Sequence, residues 1–315
     1  GAILERYVAA GGPAALGYPS SDDVAAAGGG ARIELQGGAI YWSSATGAHV
    51  VRGDILARWR QWGAESGALG YPTGDDAAAP NGGYLTTFRG GTVYWSQPTG
   101  AKVVRGAILE RYVAAGGPAA LGYPSSDDVA AAGGGARIEL QGGAIYWSSA
   151  TGAHVVRGEI LARWRQWGAE SGALGYPTAD ETAGPDGGYL TTFRGGTVYW
   201  SPSTGAKVVR GAILERYVAA GGPAALGYPT ADDGPAPGGG GAKVALQGGA
   251  VYWSAATGAH VVVGEAADHY VQLGETTSWL GYPTVDTVET PTGTRTEFQH
   301  GVIDVTGQVA SASRR

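Results

Sequence analysis

The sequence predicts a mainly β tandem-repeat protein: six small α+β units, each a short helix with three or four antiparallel strands. Two observations carry that prediction. Residues 1–105 and 106–210 differ at only eight positions, and 211–315 is a more diverged third copy. Each 105-residue copy is in turn a pair of related motifs of 52 or 53 residues. A period of this size marks an array whose units cannot bury their apolar faces alone. The tetrapeptide Leu-Gly-Tyr-Pro, beginning at Leu16, Leu69, Leu121, Leu174, Leu226 and Leu280, sets the register. Motif boundaries follow at 1–52, 53–105, 106–157, 158–210, 211–263 and 264–315.

Each motif opens on a helix. In motif 2, Ile55, Trp59 and Trp62 recur at i, i+4 and i+7 with Leu56 beside them, one apolar stripe on a short helix, with Arg58 and Arg60 off it. Gly63 ends that helix, as Gly11, Gly12 and Pro13 end its counterpart in motif 1. In Leu16-Gly17-Tyr18-Pro19 the proline drives Tyr18 toward extended backbone and Gly17 allows a close approach, so the tetrapeptide is read as a rigid turn offering Leu16 and Tyr18 to the core. Arg32–Gln36 alternates apolar with polar residues, as Tyr84–Arg89 does less regularly, and both run into Gly-Gly pairs that predict tight hairpins. The return strand is Ala39–Ser43, and Thr46-Gly47 turns the chain into Ala48–Val51. Three antiparallel strands result, with a fourth expected near the tetrapeptide. The loosest loops are expected at 25–30, 130–135 and 234–241, and a disordered tail at 311–315.

A unit of this size hides only about 60% of its extended-chain surface, and without cysteine no disulfide compensates. Neighbouring motifs must therefore complete one another's cores. Stacking into an elongated stalk with alternating orientation is the expected shape, with a closed propeller-like ring as the alternative. Motif 6 carries Val302-Ile303-Asp304-Val305 where the others have Tyr-Trp-Ser, which suits a terminal cap.

Composition narrows the partners. The net charge is −6 and basic residues are scattered singly, so nucleic acid is not expected. No apolar run approaches the roughly 18 residues of a membrane span, and no membrane insertion is expected. With neither cysteine nor methionine, and with Gly at each motif start, the chain reads as a mature fragment or an excised piece of an exported protein, monomeric, with any signal peptide removed or not included.

Leu-Gly-Tyr-Pro followed by a carboxylate pair, then Gly-Gly-x-[Ile/Val]-Tyr-Trp-Ser and Thr-Gly-Ala-[His/Lys], at a period near 53 residues, resembles the LGFP repeat of actinobacteria, with Tyr18 and its copies replacing the Phe of that name. The resemblance covers essentially the whole chain; five motifs carry every part of the pattern and the sixth departs from it. It implies extracellular, cell-envelope-associated modules attached to mycoloyltransferases, cell-wall hydrolases and other exported proteins. It further implies small four-stranded units strung into a stalk that binds the peptidoglycan and arabinogalactan polymer.

Three sets of side chains are candidates for ligand contact. The acid pairs Asp22-Asp23, Asp75-Asp76, Asp127-Asp128, Asp180-Glu181 and Asp232-Asp233 can accept from sugar hydroxyls. The simpler reading is a turn cap, because adjacent acids on extended chain point apart and supply too few oxygens for calcium. The strand pairs supply Tyr41, Tyr94, Tyr146, Tyr199 and Tyr252; if Ile40 and Trp42 share the interior face, Tyr41 is the exposed ring, free to stack on a sugar or to pack on the next motif. His49, His154 and His260 in the odd motifs, and Lys102 and Lys207 at the matching position of motifs 2 and 4, are the third set. No histidine has a second metal ligand nearby and no catalytic motif occurs, so neither metal, cofactor nor enzymatic activity is expected. The function expected is multivalent, weak binding of cell-wall glycan; a passive stalk without its own ligand is the alternative.

Overall fold

A computed structural model describes residues 1–314. They form six separate four-stranded antiparallel sheets, each a simple meander, with one longer helix per motif. None of the sheets closes on itself. The chain divides into two compact units, Gly1–Val155 and Val156–Arg315. No helix is long and apolar enough to cross a membrane.

Motif 1 shows the plan. Helix Ala2–Ala9 ends at Gly11, whose φ of 95° is left-handed, and a second short helix, Gly12–Leu16, follows with Pro13 in its first turn. The Gly-Gly-Pro segment therefore stops one helix and starts another; in even motifs a 3-10 turn, such as Ala64–Ser66, takes its place. The tetrapeptide crosses to the sheet through a bridge from Pro19 to Leu35, repeated in every motif. An aromatic residue of the helix fixes it there: Tyr7, Tyr112, Tyr217 and Tyr270 each donate an O–H to the carbonyl of the tetrapeptide glycine at 2.6–2.7 Å. Trp59 does the same with its indole N–H at 3.0 Å.

The fourth strand lies just after the acid pair, at Val24–Ala26, so the segment expected to be the loosest loop is ordered strand followed by the 3-10 turn Ala27–Gly29. Residues 130–135 repeat this arrangement, and Gly234–Pro235 is its two-residue form. Leu35 pairs with Gly38, which puts the two-residue turn at Gln36-Gly37, one residue ahead of the Gly-Gly pair. Gly37 is needed because a Cβ there would sit 3.0 Å from the Leu16 carbonyl. At the C-terminus, 311–314 is not a tail: Val309–Arg314 is the last strand, paired along its whole length with Gly301–Thr306. The expectation for Arg315 lies outside the described residues.

Both faces of a sheet are buried. On the strand Gly38–Ser43, Ile40 packs with Leu16, Leu35 and Val50 beneath its own helix. Ala39 and Tyr41, on the opposite face, enter a second core with Ile55, Leu56, Trp59, Leu69, Phe88 and Val93 of motif 2. The pattern repeats: Tyr94 and Val104 enter the core of motif 3, Tyr199 and Val209 that of motif 5, and Tyr252 and Val262 that of motif 6. Tyr41 meets Trp59 edge-on at 4.5 Å and Tyr94 meets Tyr112 edge-on at 5.2 Å, geometries that add to the area they bury. Motif 1, without such a donor, has a core of only four buried residues, Leu16, Leu35, Ile40 and Val50.

The tetrapeptide tyrosine tightens the same joint from the other side. Tyr71 donates its O–H to Ala27 O, Tyr123 to Pro80 O, Tyr228 to Pro185 O and Tyr282 to Gly239 O, at 2.5–2.8 Å, each partner lying 43 or 44 residues back. Room for the ring requires a glycine opening the second strand of the preceding motif: a Cβ on Gly83 would meet the Tyr123 oxygen at 2.2 Å. Gly83→Ala, at a backbone φ of −90° that any residue tolerates, is therefore expected to cost about 1–3 kcal/mol by overpacking. Urea unfolding checks this; an unchanged midpoint would mean that the ring is not held there.

Candidate functional site

The acid pairs Asp75-Asp76, Asp127-Asp128 and Asp232-Asp233 are engaged by protein, and each clamps its motif to the one before. Asp127 Oδ1 accepts the Val103 N–H at 2.8 Å, and its other oxygen pairs with Arg58 of the preceding helix. Asp75 does the same with Val50 and Arg6, and Asp232 with Val208 and Arg163. Asp286, which sequence reading passed over because it stands without an acidic neighbour, takes Val261 and Arg216. The second acid of each pair turns to the arginine just ahead of its own helix: Asp76 to Arg52 at 3.3 Å, Asp128 to Arg105 at 2.8 Å, Glu181 to Arg157 at 3.3 Å and Asp233 to Arg210 at 3.0 Å. Adjacent side chains pointing opposite ways, a poor arrangement for acid–base chemistry, are what two separate partners require. Burial raises the Asp76 carboxyl above the usual carboxylate range, against the opposing hydrogen bonds from Thr86 and Arg52. Asp180 is half-buried. Of the five acid pairs, Asp22-Asp23 is the one exposed without an ion-pair partner among the described residues.

The tyrosine expectation is reversed. Tyr41, Tyr94, Tyr146, Tyr199 and Tyr252 are at most 4% exposed, and the tryptophan beside each is the half-buried ring. Period two tells which residues share a face, yet here both faces face protein, so the pairing of Ile40 with Trp42 did not identify an outside. Burial pushes the Tyr94 and Tyr199 hydroxyls up to about 12, and moves Tyr112, Tyr217, Tyr252 and Tyr270 in the same direction. The His and Lys set folds back on its own turn: His49, His154 and His260 place Nε2 at 2.8 Å from the carbonyls of Thr46, Thr151 and Thr257, and Lys207 Nζ reaches Thr204 O at 2.6 Å. His49 and His260 also face Asp75 and Asp286 through Nδ1. Lys102 is half-buried opposite Tyr94.

One open aromatic pair was not among the sequence candidates. Tyr84 and Trp95 are directly opposed on neighbouring strands, their ring centroids 5.9 Å apart, with Tyr84 46% exposed. The Trp95 indole N–H donates to Asp54 Oδ2 at 2.8 Å. The rings, Asp54, Arg52 and Asp76 line a cleft of about 380 Å³ at the N-terminal end of helix Gly53–Gln61. Motif 4 repeats the pair as Tyr189 and Trp200, again 5.9 Å apart, with Glu159 at the position of Asp54. Odd motifs place Ala31, Ala136 and Ala242 opposite the tryptophan. The sequence signal was this alanine-to-tyrosine alternation, visible once the motifs are aligned on their second strand. Among the described residues no group of three or more acids or histidines is placed to hold a metal ion.

A family model described as LGFP repeat matches residues 16–67, 69–119, 121–172, 174–224 and 226–278. Among curated proteins no match is found. Two solved structures align over most of the chain: the extracellular domain described for the hybrid two component system BT4673 of B. thetaiotaomicron, 10% identical with a TM-score of 0.17 over 94% of this chain and 33% of that one, and the corresponding domain of BT3049, 13% identical with a TM-score of 0.17 over 90% and 32%. The chain spans about a third of the length of either, and at these scores the alignments carry no argument.

Two outcomes follow from this geometry. Asp127→Ala strands a strand N–H and a partly buried guanidinium, and should lower stability by about 1–3 kcal/mol; the chemically identical Asp22→Ala should change it by no more than about 0.5 kcal/mol. Equal costs in denaturant titration would refute the clamp. Because the buried tyrosines have folded-state values raised above the unfolded value of 10, the folded state holds more protons above that pH. Their contribution is fully present below pH 10 and is lost as pH rises toward 12; thermal melts at pH 8 to 12 should show the fall, with tyrosinate absorbance appearing in step with unfolding.

Proposed function

This chain belongs to the LGFP repeat family, and from that premise we propose that it is a non-catalytic binding module of an exported protein, holding cell-envelope glycan of the peptidoglycan or arabinogalactan type at weak sites used together. The observation that carries the reading is the Tyr84–Trp95 cleft, with the same ring pair repeated as Tyr189–Trp200. A pyranose ring offers an apolar C–H face to an aromatic pair and hydroxyls to its rim, and here Asp54 and Arg52 stand at that rim as acceptor and donor. Most of the acids that could otherwise serve a hydrolase are engaged with arginines, which supports a binding role over a catalytic one. Two such ring pairs on one chain permit bivalent attachment to a polymer, which can raise avidity by a hundredfold or more without any new contact. The module acts as an extracellular, envelope-associated monomer.

A passive spacer is the second reading, favoured by the near-identity of residues 1–105 and 106–210, since copy number then sets length alone. Co-sedimentation with purified insoluble cell wall separates the two. The chain is expected in the pellet, and Tyr84→Ala with Tyr189→Ala should weaken retention roughly a hundredfold while leaving the melting curve in place. Wild-type chain found wholly in the supernatant would leave only the spacer.

A further inference from the structure

We propose that the N-terminal face of motif 1 is an open inter-motif socket whose occupant is the outgoing face of another Tyr-Trp-Ser motif, joined in line ahead of Gly1. Residues 1–53 and 106–158 have the same sequence, so motif 3 shows what the face of motif 1 is built to receive. In motif 3, Ile108, Tyr112, Tyr123 and Ile138 are 0–3% exposed, covered in part by Tyr94 and Val104 of motif 2. Their counterparts in motif 1 are uncovered: Tyr18 is 65% exposed and Ile3, Tyr7 and Ile33 are half-buried. A cavity of about 590 Å³ opens there, lined by Ile3, Tyr7, Ile33 and both free acids.

The polar groups make the match specific. In motif 3 the Tyr123 hydroxyl meets the Pro80 carbonyl, Asp127 meets Arg58 and the Val103 N–H, and Asp128 meets Arg105. Tyr18, Asp22 and Asp23 present the same hydroxyl and carboxylates with no such partners among the described residues. The complement they require is a loop carbonyl, a helix arginine, a strand N–H and an arginine directly ahead of the glycine that opens the motif. Motif 5 receives the same set from motif 4, through Pro185, Arg163, Val208 and Arg210.

A second copy of this chain does not fit, because its own C-terminal motif lacks the outgoing residues. Asp304 pairs opposite Arg295 where the other sheets carry the interior tyrosine, His269 stands at the helix-arginine position, and Ala312 replaces the valine that offers its N–H to the clamp. Asp304 would bring a carboxylate to the place where the interior tyrosine of the other joints meets the helix ring, and burying it there is costly. The last motif therefore does not carry the outgoing set that the socket takes.

The test extends the full chain with a copy of residues 53–105 ahead of Gly1, recreating the 105–106 junction. Tyr18 should then nitrate at least about tenfold more slowly by peptide mass spectrometry, with amide exchange across residues 2–16 slowed in parallel. The same chain extended with a copy of residues 264–315 should leave both rates unchanged, and the unextended chain should sediment as a monomer. Unprotected Tyr18 behind the first extension would overturn the proposal. So would equal protection by the two extensions, which would show that the outgoing tyrosine and arginine are not what the socket reads, or head-to-tail dimers of the unextended chain.

Discussion

A tyrosine set into the neighbour's core is the interaction on which the rest of each unit depends. A motif of about fifty residues has one helix and one small sheet, too little to cover both sides of that sheet. The return strand solves this by sending Ile40 to its own helix and Tyr41 to the helix of the next motif, so that one sheet serves two cores. Tyr94, Tyr199 and Tyr252 repeat the device. The cost of a buried hydroxyl is met where a partner is at hand, as with the Tyr252 O–H, which donates to Glu275 at 3.1 Å.

Directional bonds then fix how the shared cores meet. Apolar contact alone would tolerate sliding, whereas a carboxylate that must accept one particular strand N–H and one particular guanidinium has a single seat. The tetrapeptide gains its place in the motif from the same logic: leucine fills the core, glycine yields its carbonyl to the helix aromatic, tyrosine reaches back to the previous motif, and proline bridges to the sheet. Four residues thus make contacts in four directions, and none is left over for a ligand.

The local parts of this design were legible in the sequence. The stripe of Ile55 and Trp59 and the hairpin after Leu35 rest on short-range periodicity or turn chemistry, and the structure has a buried stripe and a hairpin there. What escaped was longer in range. Asp127 reads as a turn residue because its arginine lies 69 positions away, and Tyr41 reads as an outer ring because alternation cannot reveal that both sides of a strand are covered. The Tyr84–Trp95 cleft was hidden for a third reason: a strand-initial tyrosine is unremarkable until set beside Ala31 in the motif before it. With most of the acids and the interior tyrosines engaged at the joints, the Tyr84–Trp95 pair stands out as an aromatic surface left accessible.

The account stands on motifs that cannot complete their interiors alone. Its most direct measurement compares residues 53–105 as an isolated chain with the full-length protein, by thermal melting and urea titration under identical conditions. The isolated segment, lacking Tyr41 and Val51 beneath its helix, should show no cooperative transition while the full chain shows a sharp one. An isolated segment that melted as sharply and at as high a temperature as the full chain would contradict the shared core, and with it the reading of the acid pairs as clamps.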